Sequence, residues 1–276
     1  MYQRLPKCLL YIVAQYIVAQ YIVHKPTRFK SFVDVEKINW NQLSRNSAAI
    51  YLLENNLDNI NWTYLSINPS AISLLEKNFR KIEWSQLSKN PGAISLLKNN
   101  RKNIDWLCIN PAAISILETN LCNINWIWLS GNPRAISLLE NNLEKIYWSW
   151  LSENPAAIHL LEKNPEKINW HFLSQNPAAI HLLEKNSDKI DWSRLSENPA
   201  AISLLEKNPD KIDWTGLSRN PAAISLLEKN PDKINWSRLS YNSSIIELDI
   251  EQYKKDLNSW VGKNYHIDER KKFNIS

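Results

Sequence analysis

Glycine is almost missing from this chain, with 4 in 276 residues. Phosphate-cradling loops and tight hairpins need glycine at set positions, because only a residue without a Cβ takes up the required backbone angles freely. Both are therefore excluded. Cysteine is scarce too: Cys8, Cys108 and Cys122 are odd in number and form no Cys-x-x-Cys pair. A disulfide scaffold and a thiolate zinc site fall away, and a reducing, intracellular setting fits. Charge of one sign is also lacking where it would matter. The formal net charge is +5, yet residues 1–37 carry 6 Lys/Arg against 2 Asp/Glu and residues 243–276 carry 6 against 6, which leaves 21 against 20 for residues 38–242. Nucleic-acid recognition needs basic residues gathered on one face. A near-neutral body with both signs interleaved argues against it.

What is present is a repeat. Tryptophan recurs at Trp40, Trp62, Trp84, Trp106, Trp126, Trp148, Trp170, Trp192, Trp214 and Trp236, a step of 22 residues except for one of 20 between Trp106 and Trp126. An isoleucine precedes each tryptophan by two positions, from Ile38 to Ile234. The unit reads I-[N/D]-W-x-x-L-S-x-N-P-A-A-I-x-L-L-E-K-N-P-D-K and is cleanest from Ile190 to Lys211. Nine copies are complete, and a tenth begins at Ile234 and dissolves after Ser240.

Within a unit, Asn198 suits an N-cap and Pro199 the first helical position, where no N–H is needed. Ala200 to Lys207 are helix formers, with Ala201, Ile202, Leu204 and Leu205 on one face. Asn208-Pro209-Asp210-Lys211 has the composition of a type I turn. Asp213 can then cap a shorter helical turn carrying Trp214 and Leu217. These pieces predict an all-α protein: a right-handed-type α-solenoid of about ten 22-residue units, each with one longer helix and one short helical turn. A strand-based solenoid would need alternating β-formers in every unit, and only the three-residue Ile-Asp-Trp stretch offers any. At ~9 Å between packed helices, ten units make an object on the order of 90 Å long. The recurring Trp reads as a buried spine whose indole N–H is given to a nearby carbonyl. The fourth unit lacks the two residues after its Trp, and Cys108 stands in the usual Ser position, so an irregularity in pitch is expected near residues 104–110.

The phrase N-P-A-A-I-x-L-L-E-K-N-P-D-K-I-D-W-x-x-L-S resembles the tandem-repeat proteins of giant amoeba-infecting viruses of the mimivirus kind. The heavy use of Asn, Lys and Ile is similar to that of an AT-rich viral genome. The resemblance implies paralogous arrays without an assigned activity, and it brings no catalytic residues. In architecture the unit is also similar to leucine-rich variant repeats, which alternate an α-helix with a short 3-10 helix.

In a repeat array, fixed positions report packing and changing positions report partners. The pair after each Trp varies most, and its second member is aromatic in Trp128, Trp150 and Phe172, with Tyr64 apart from them. An exposed aromatic ladder would anchor a protein partner; the alternative is that these rings fold onto the core. His159 and His181 sit on the long helix where Ser is usual, and His171 follows Trp170. The expected partner-binding residues are therefore Tyr64, Trp128, Trp150, His159, His171, Phe172 and His181. A metal shared by His159 and His181 is not expected, since equivalent positions lie ~9 Å apart and Zn–N bonds are ~2.1 Å. Glu162, Glu184, Glu206 and Glu228 recur in every unit, as a solvated helix face does, so no catalytic pair and no cofactor are expected.

Three segments follow: 1–37, an apolar and basic N-terminal stretch; 38–242, the solenoid; and 243–276, a C-terminal segment expected to form a capping helix. Leu9 to Val23 is nearly all apolar but shorter than the ~20 residues that span a bilayer. It reads as a capping helix or an anchor, so a membrane contact stays open, and Leu5-Pro6-x-x-Leu9-Leu10-x-Ile12 resembles the opening of an F-box. The functional expectation is a non-enzymatic scaffold for a protein partner, in the host cytoplasm if viral. The alternative is an F-box-like or membrane-tethered adaptor that docks through residues 1–30. Partner identity and oligomeric state stay open.

Overall fold

The computed structural model describes residues 25–98, 104–118 and 124–265. The apolar stretch from Leu9 to Val23, with its cap, anchor and F-box-like readings, lies outside them, as do Cys8 and Cys122. Among the described residues no helix is long and apolar enough to cross a membrane.

The α-solenoid is there, but each unit has four short pieces instead of two. In the cleanest copy these are an α-helix Trp192–Glu197, a 3-10 turn Pro199–Ala201, an α-helix Ile202–Glu206 and a 3-10 turn Pro209–Lys211. Asp191 caps the first helix by accepting from the Arg194 N–H. The expected longer helix is split because Asn198 accepts from the Ala200 N–H, two residues on, which winds Pro199–Ala201 tightly. Ala201 then sits at φ −92, ψ 2, outside the helical region, before the chain turns into Ile202. Leu195, Ala201 and Leu205, one from each of the first three pieces, have no exposed surface. A buried leucine of this kind stabilises by ~1.5–3 kcal/mol.

Polar groups join the units. The side-chain amide of each Asn before the Pro turn donates to two carbonyls of the preceding unit; Asn198, for example, reaches Ser174 O at 3.1 Å and Asn176 O at 3.0 Å. The same pair of bonds is made by Asn68, Asn90, Asn110, Asn132, Asn154, Asn176, Asn220 and Asn242. Every one of these asparagines is buried. In most units the serine after the buried leucine donates to the Trp carbonyl behind it, as Ser196 does to Trp192 O, and accepts the N–H that opens the next unit, as from Asp213 at 3.0 Å; Ser88 donates to Ser85 O instead. Buried backbone groups left over from short helices are satisfied in this way.

The array is not an open rod. Asn46 of the first unit donates to Ser240 O at 3.3 Å and Asn242 O at 3.0 Å, across 194 and 196 residues, and the Asn39 N–H donates to the Ser240 hydroxyl at 2.8 Å. These are the bonds every neighbouring pair makes, so unit one stands to unit ten as unit two stands to unit one. The solenoid closes into a ring. An expectation of an elongated object with two capped ends fails, because the per-unit turn brings the tenth copy back to the first.

Both chain ends complete the tenth unit. Its Trp helix, Trp236–Leu239, and the 3-10 turn Ser243–Ile245 come from the C-terminal side. The turn Val35–Lys37 that leads into Asn39 comes from the N-terminal side. In place of the second helix lies a two-stranded antiparallel pair, β1 (Thr27–Phe29) with β2 (Ile246–Leu248), held also by Arg28 to Glu247 at 2.9 Å. Within the alternation that starts at Ile245, Ile246-Glu247-Leu248 is thus a strand and not the start of a capping helix. The helix there begins later, as Ile250–Tyr265.

Two local expectations are also revised. The short fourth unit forms a 3-10 helix, Ile104–Ile109, in place of the Trp α-helix. A 3-10 helix rises ~2.0 Å per residue against ~1.5 Å, which offsets the missing residues, and the asparagine bonds run through unbroken at Asn110 and Asn132. Cys108 does the serine's work, its Sγ accepting from the Asn125 N–H at 3.3 Å. The repeated tryptophans are half-buried, not a buried spine. One side of each described ring packs on the core. In most units the lysine that ends the same unit lies over it, as Lys211 lies 4.7 Å from Trp192 and Lys233 4.6 Å from Trp214. Lys37 over Trp236, at 5.2 Å, repeats the contact across the closure.

Candidate functional site on the inner face of the ring

In a closed ring, the elements that approach each other most closely from unit to unit lie at the smaller radius. Most consecutive Trp helices pack closely, whereas consecutive Ile-Leu-Leu helices do not. The Trp helices therefore form the inner circumference and the other helices the outer one. Along a Trp helix, the Leu and Ser three and four residues after Trp are buried. At ~100° per residue, positions two and five after Trp point away from that core. These two positions make a continuous band around the inner face, and they are the positions where the units differ most.

One sector of the band is aromatic. Trp128 and Trp150 stand 5.0 Å apart between ring centroids, and Trp150 and Phe172 5.8 Å apart, all tilted against each other. All three are half-buried. They form the expected ladder, leaning on one another and leaving part of each ring open.

The next sector is polar and internally compensated. Arg194 lies 5.9 Å from the Phe172 ring and donates to Gln175 Oε1 at 3.1 Å. Gln175 donates to Glu197, which also takes Arg219 at 3.2 Å. His171 sits at the edge of the band, 2.6 Å from Asp191 through Nδ1, while Arg194 Nε donates to its Nε2 at 3.1 Å. With Nε2 accepting, Nδ1 carries the proton given to Asp191. Burial pushes the Asp191 carboxyl up, but the Arg194 N–H and His171 together hold it below its ordinary value. Glu153 goes the other way: burial raises its carboxyl, and the Glu197 charge adds to this against the pull of Arg194 and Arg219.

The third sector is basic. Arg45 lies between two phenol rings, 5.4 Å from Tyr64 and 5.0 Å from Tyr241. Arg219 lies 4.7 Å from the same Tyr241. Burial and the Arg45 charge lower the basicity of Lys89.

The expected residues therefore do not form one surface. Tyr64, Trp128, Trp150 and Phe172 belong to the inner band, with His171 at its edge. His159 and His181 are on the outer helices, Ile158–Lys163 and Ile180–Lys185, where each bonds a glutamate of the preceding unit, Glu140 at 2.8 Å and Glu162 at 3.0 Å. Among the described residues no group of three His, Cys, Asp or Glu is placed to hold a metal. What the sequence reading passed over is the fifth position after Trp: Arg45, Lys89, Glu153, Gln175, Glu197, Arg219 and Tyr241. Its signal was the same unit-to-unit variation that marked the second position.

Compared with known proteins, the chain matches no family model, no curated protein and no solved structure.

Proposed function

We propose that the protein is a non-enzymatic binding scaffold that takes a segment of a protein partner against the inner face of its ring, with Trp128, Trp150 and Phe172 as the apolar anchor. The observation that carries this reading is the division of labour along each unit. Most positions are repeated and engaged in packing or closure, while the inner band changes most from copy to copy and gathers aromatic rings in one sector. Half-exposed aromatics beside satisfied polar groups are what interface anchors consist of. The motif's resemblance to mimivirus-type repeat proteins and the absence of paired cysteines support a viral protein acting in the host cytoplasm.

The test is affinity purification from expressing cells with three forms: the natural chain, W128A/W150A/F172A, and H159A/H181A on the outer face. The inner-face variant is expected to lose the partners that the other two retain, with its helical circular dichroism unchanged. Retention of the same partners by the inner-face variant overturns the proposal.

A further inference from the structure

Arg45 is the one feature of the inner band that folding alone does not account for. Its guanidinium is held between the rings of Tyr64 and Tyr241. Its Nε is buried and, among the described residues, finds no hydrogen-bond partner. A buried charged donor without a partner costs well over ~1 kcal/mol. The other arginines of the band are treated differently: Arg194 bonds Gln175 and His171, Arg219 pairs with Glu197, and Arg238 is exposed to water. Nor does the frame require an arginine here: equivalent positions in other units hold Ile67, Gly131 and Gln175. Lys89, two units on, is close enough for the Arg45 charge to lower its basicity, and Arg219, itself paired with Glu197, lies on the far side of Tyr241.

We infer that Arg45, flanked by Tyr64, Tyr241, Lys89 and Arg219 where the ring closes, is an oxyanion-binding site. A carboxylate or phosphate can accept from the outer guanidinium N–H groups in the bidentate manner that arginine offers, and a small shift of the side chain opens the unmet Nε–H to it. The two tyrosine rings fix the plane of the guanidinium. Such an oxygen also relieves the repulsion between Arg45 and Lys89, which explains two like charges kept half-buried together. The site is separate from the aromatic sector, so it stands whether or not Trp128, Trp150 and Phe172 bind a partner.

Isothermal titration of the full chain with inorganic phosphate, and separately with hexaglutamate, tests this, using R45Q and, as a surface control, R134Q. One binding event per chain is expected with at least one of the two probes. In R45Q it should weaken by at least about tenfold, and in R134Q it should be unchanged. Tighter binding of hexaglutamate identifies a peptide carboxylate as the source, and tighter binding of phosphate identifies a free phosphate. Since R45Q removes an unmet buried donor, it should also be at least as stable as the natural chain in anion-free buffer. No binding of either probe at millimolar concentration, or binding that survives R45Q, overturns the assignment.

Discussion

Asn198 and Arg45 show how differently two parts of one unit are used. The Asn198 side chain accepts one backbone N–H and donates to two backbone carbonyls, so both its donors and its acceptor oxygen are engaged. Arg45, one residue ahead of the equivalent asparagine, leaves a buried donor unmet. The buried asparagines of the frame are taken up by the ring itself. The inner band still holds an unmet donor, and the proposed recognition is confined to it.

The largest effect should come from breaking the frame. Asn198→Leu strands two buried carbonyls and an N–H, at a cost of ~3 kcal/mol or more, read as a fall in the urea midpoint. Asn46→Leu removes the same bonds at the closure and should cost about as much, because that junction is built like the others. A much smaller loss for Asn46→Leu would mean that the closure is weaker than an internal junction. In the band, substitutions should be mild. Glu153→Gln should raise stability at neutral pH by less than about 1 kcal/mol, since the site is partly open to water. The sign follows from the raised carboxyl: its neutral form is favoured in the fold, so its contribution is present below the ordinary value of 4.5 and lost as pH rises through the raised value. The gain from Gln should therefore vanish in acid, and melting curves at pH 7 and pH 4 check it. The smallest effect is expected of Cys108→Ser, which exchanges one acceptor of the Asn125 N–H for another and should shift stability by under about 1 kcal/mol, upward if at all.

Much of the frame could be read from the residues. Ten in-phase Ile-x-Trp triplets and the Asn-Pro starts imply packed helical units, and the units are there. The split of the longer helix was less visible, because Asn-Pro is an equally good opening for an α-helix or a 3-10 turn, and the choice rests on which N–H the asparagine meets. Closure was invisible for a different reason. The angle between successive units is a sum of small packing differences that no single residue encodes. Its traces lie in Lys37, which stands where Lys211 and Lys233 do, and in Asn39, which stands where Asp213 and Asn235 do. Of the site, the aromatic sector was legible because it varies beside a fixed Trp. The basic sector was not, since Arg45, Lys89 and Arg219 look like solvated charges until the ring brings Tyr241 against Arg45.

The most direct test of the closed ring is the separation of its first and last units in solution. Asn41 and Ser237 are exposed at equivalent positions of units one and ten, and both can carry spin labels on cysteines after Cys8, Cys108 and Cys122 are changed to serine. A closed ring puts the two backbones about one inter-unit spacing apart, ~9 Å, giving strong dipolar broadening, whereas an open solenoid of the same units puts them ~80 Å apart. Strong broadening in the natural frame, lost in Asn46→Leu under mild urea, is the predicted result. An unbroadened spectrum in the natural frame contradicts closure.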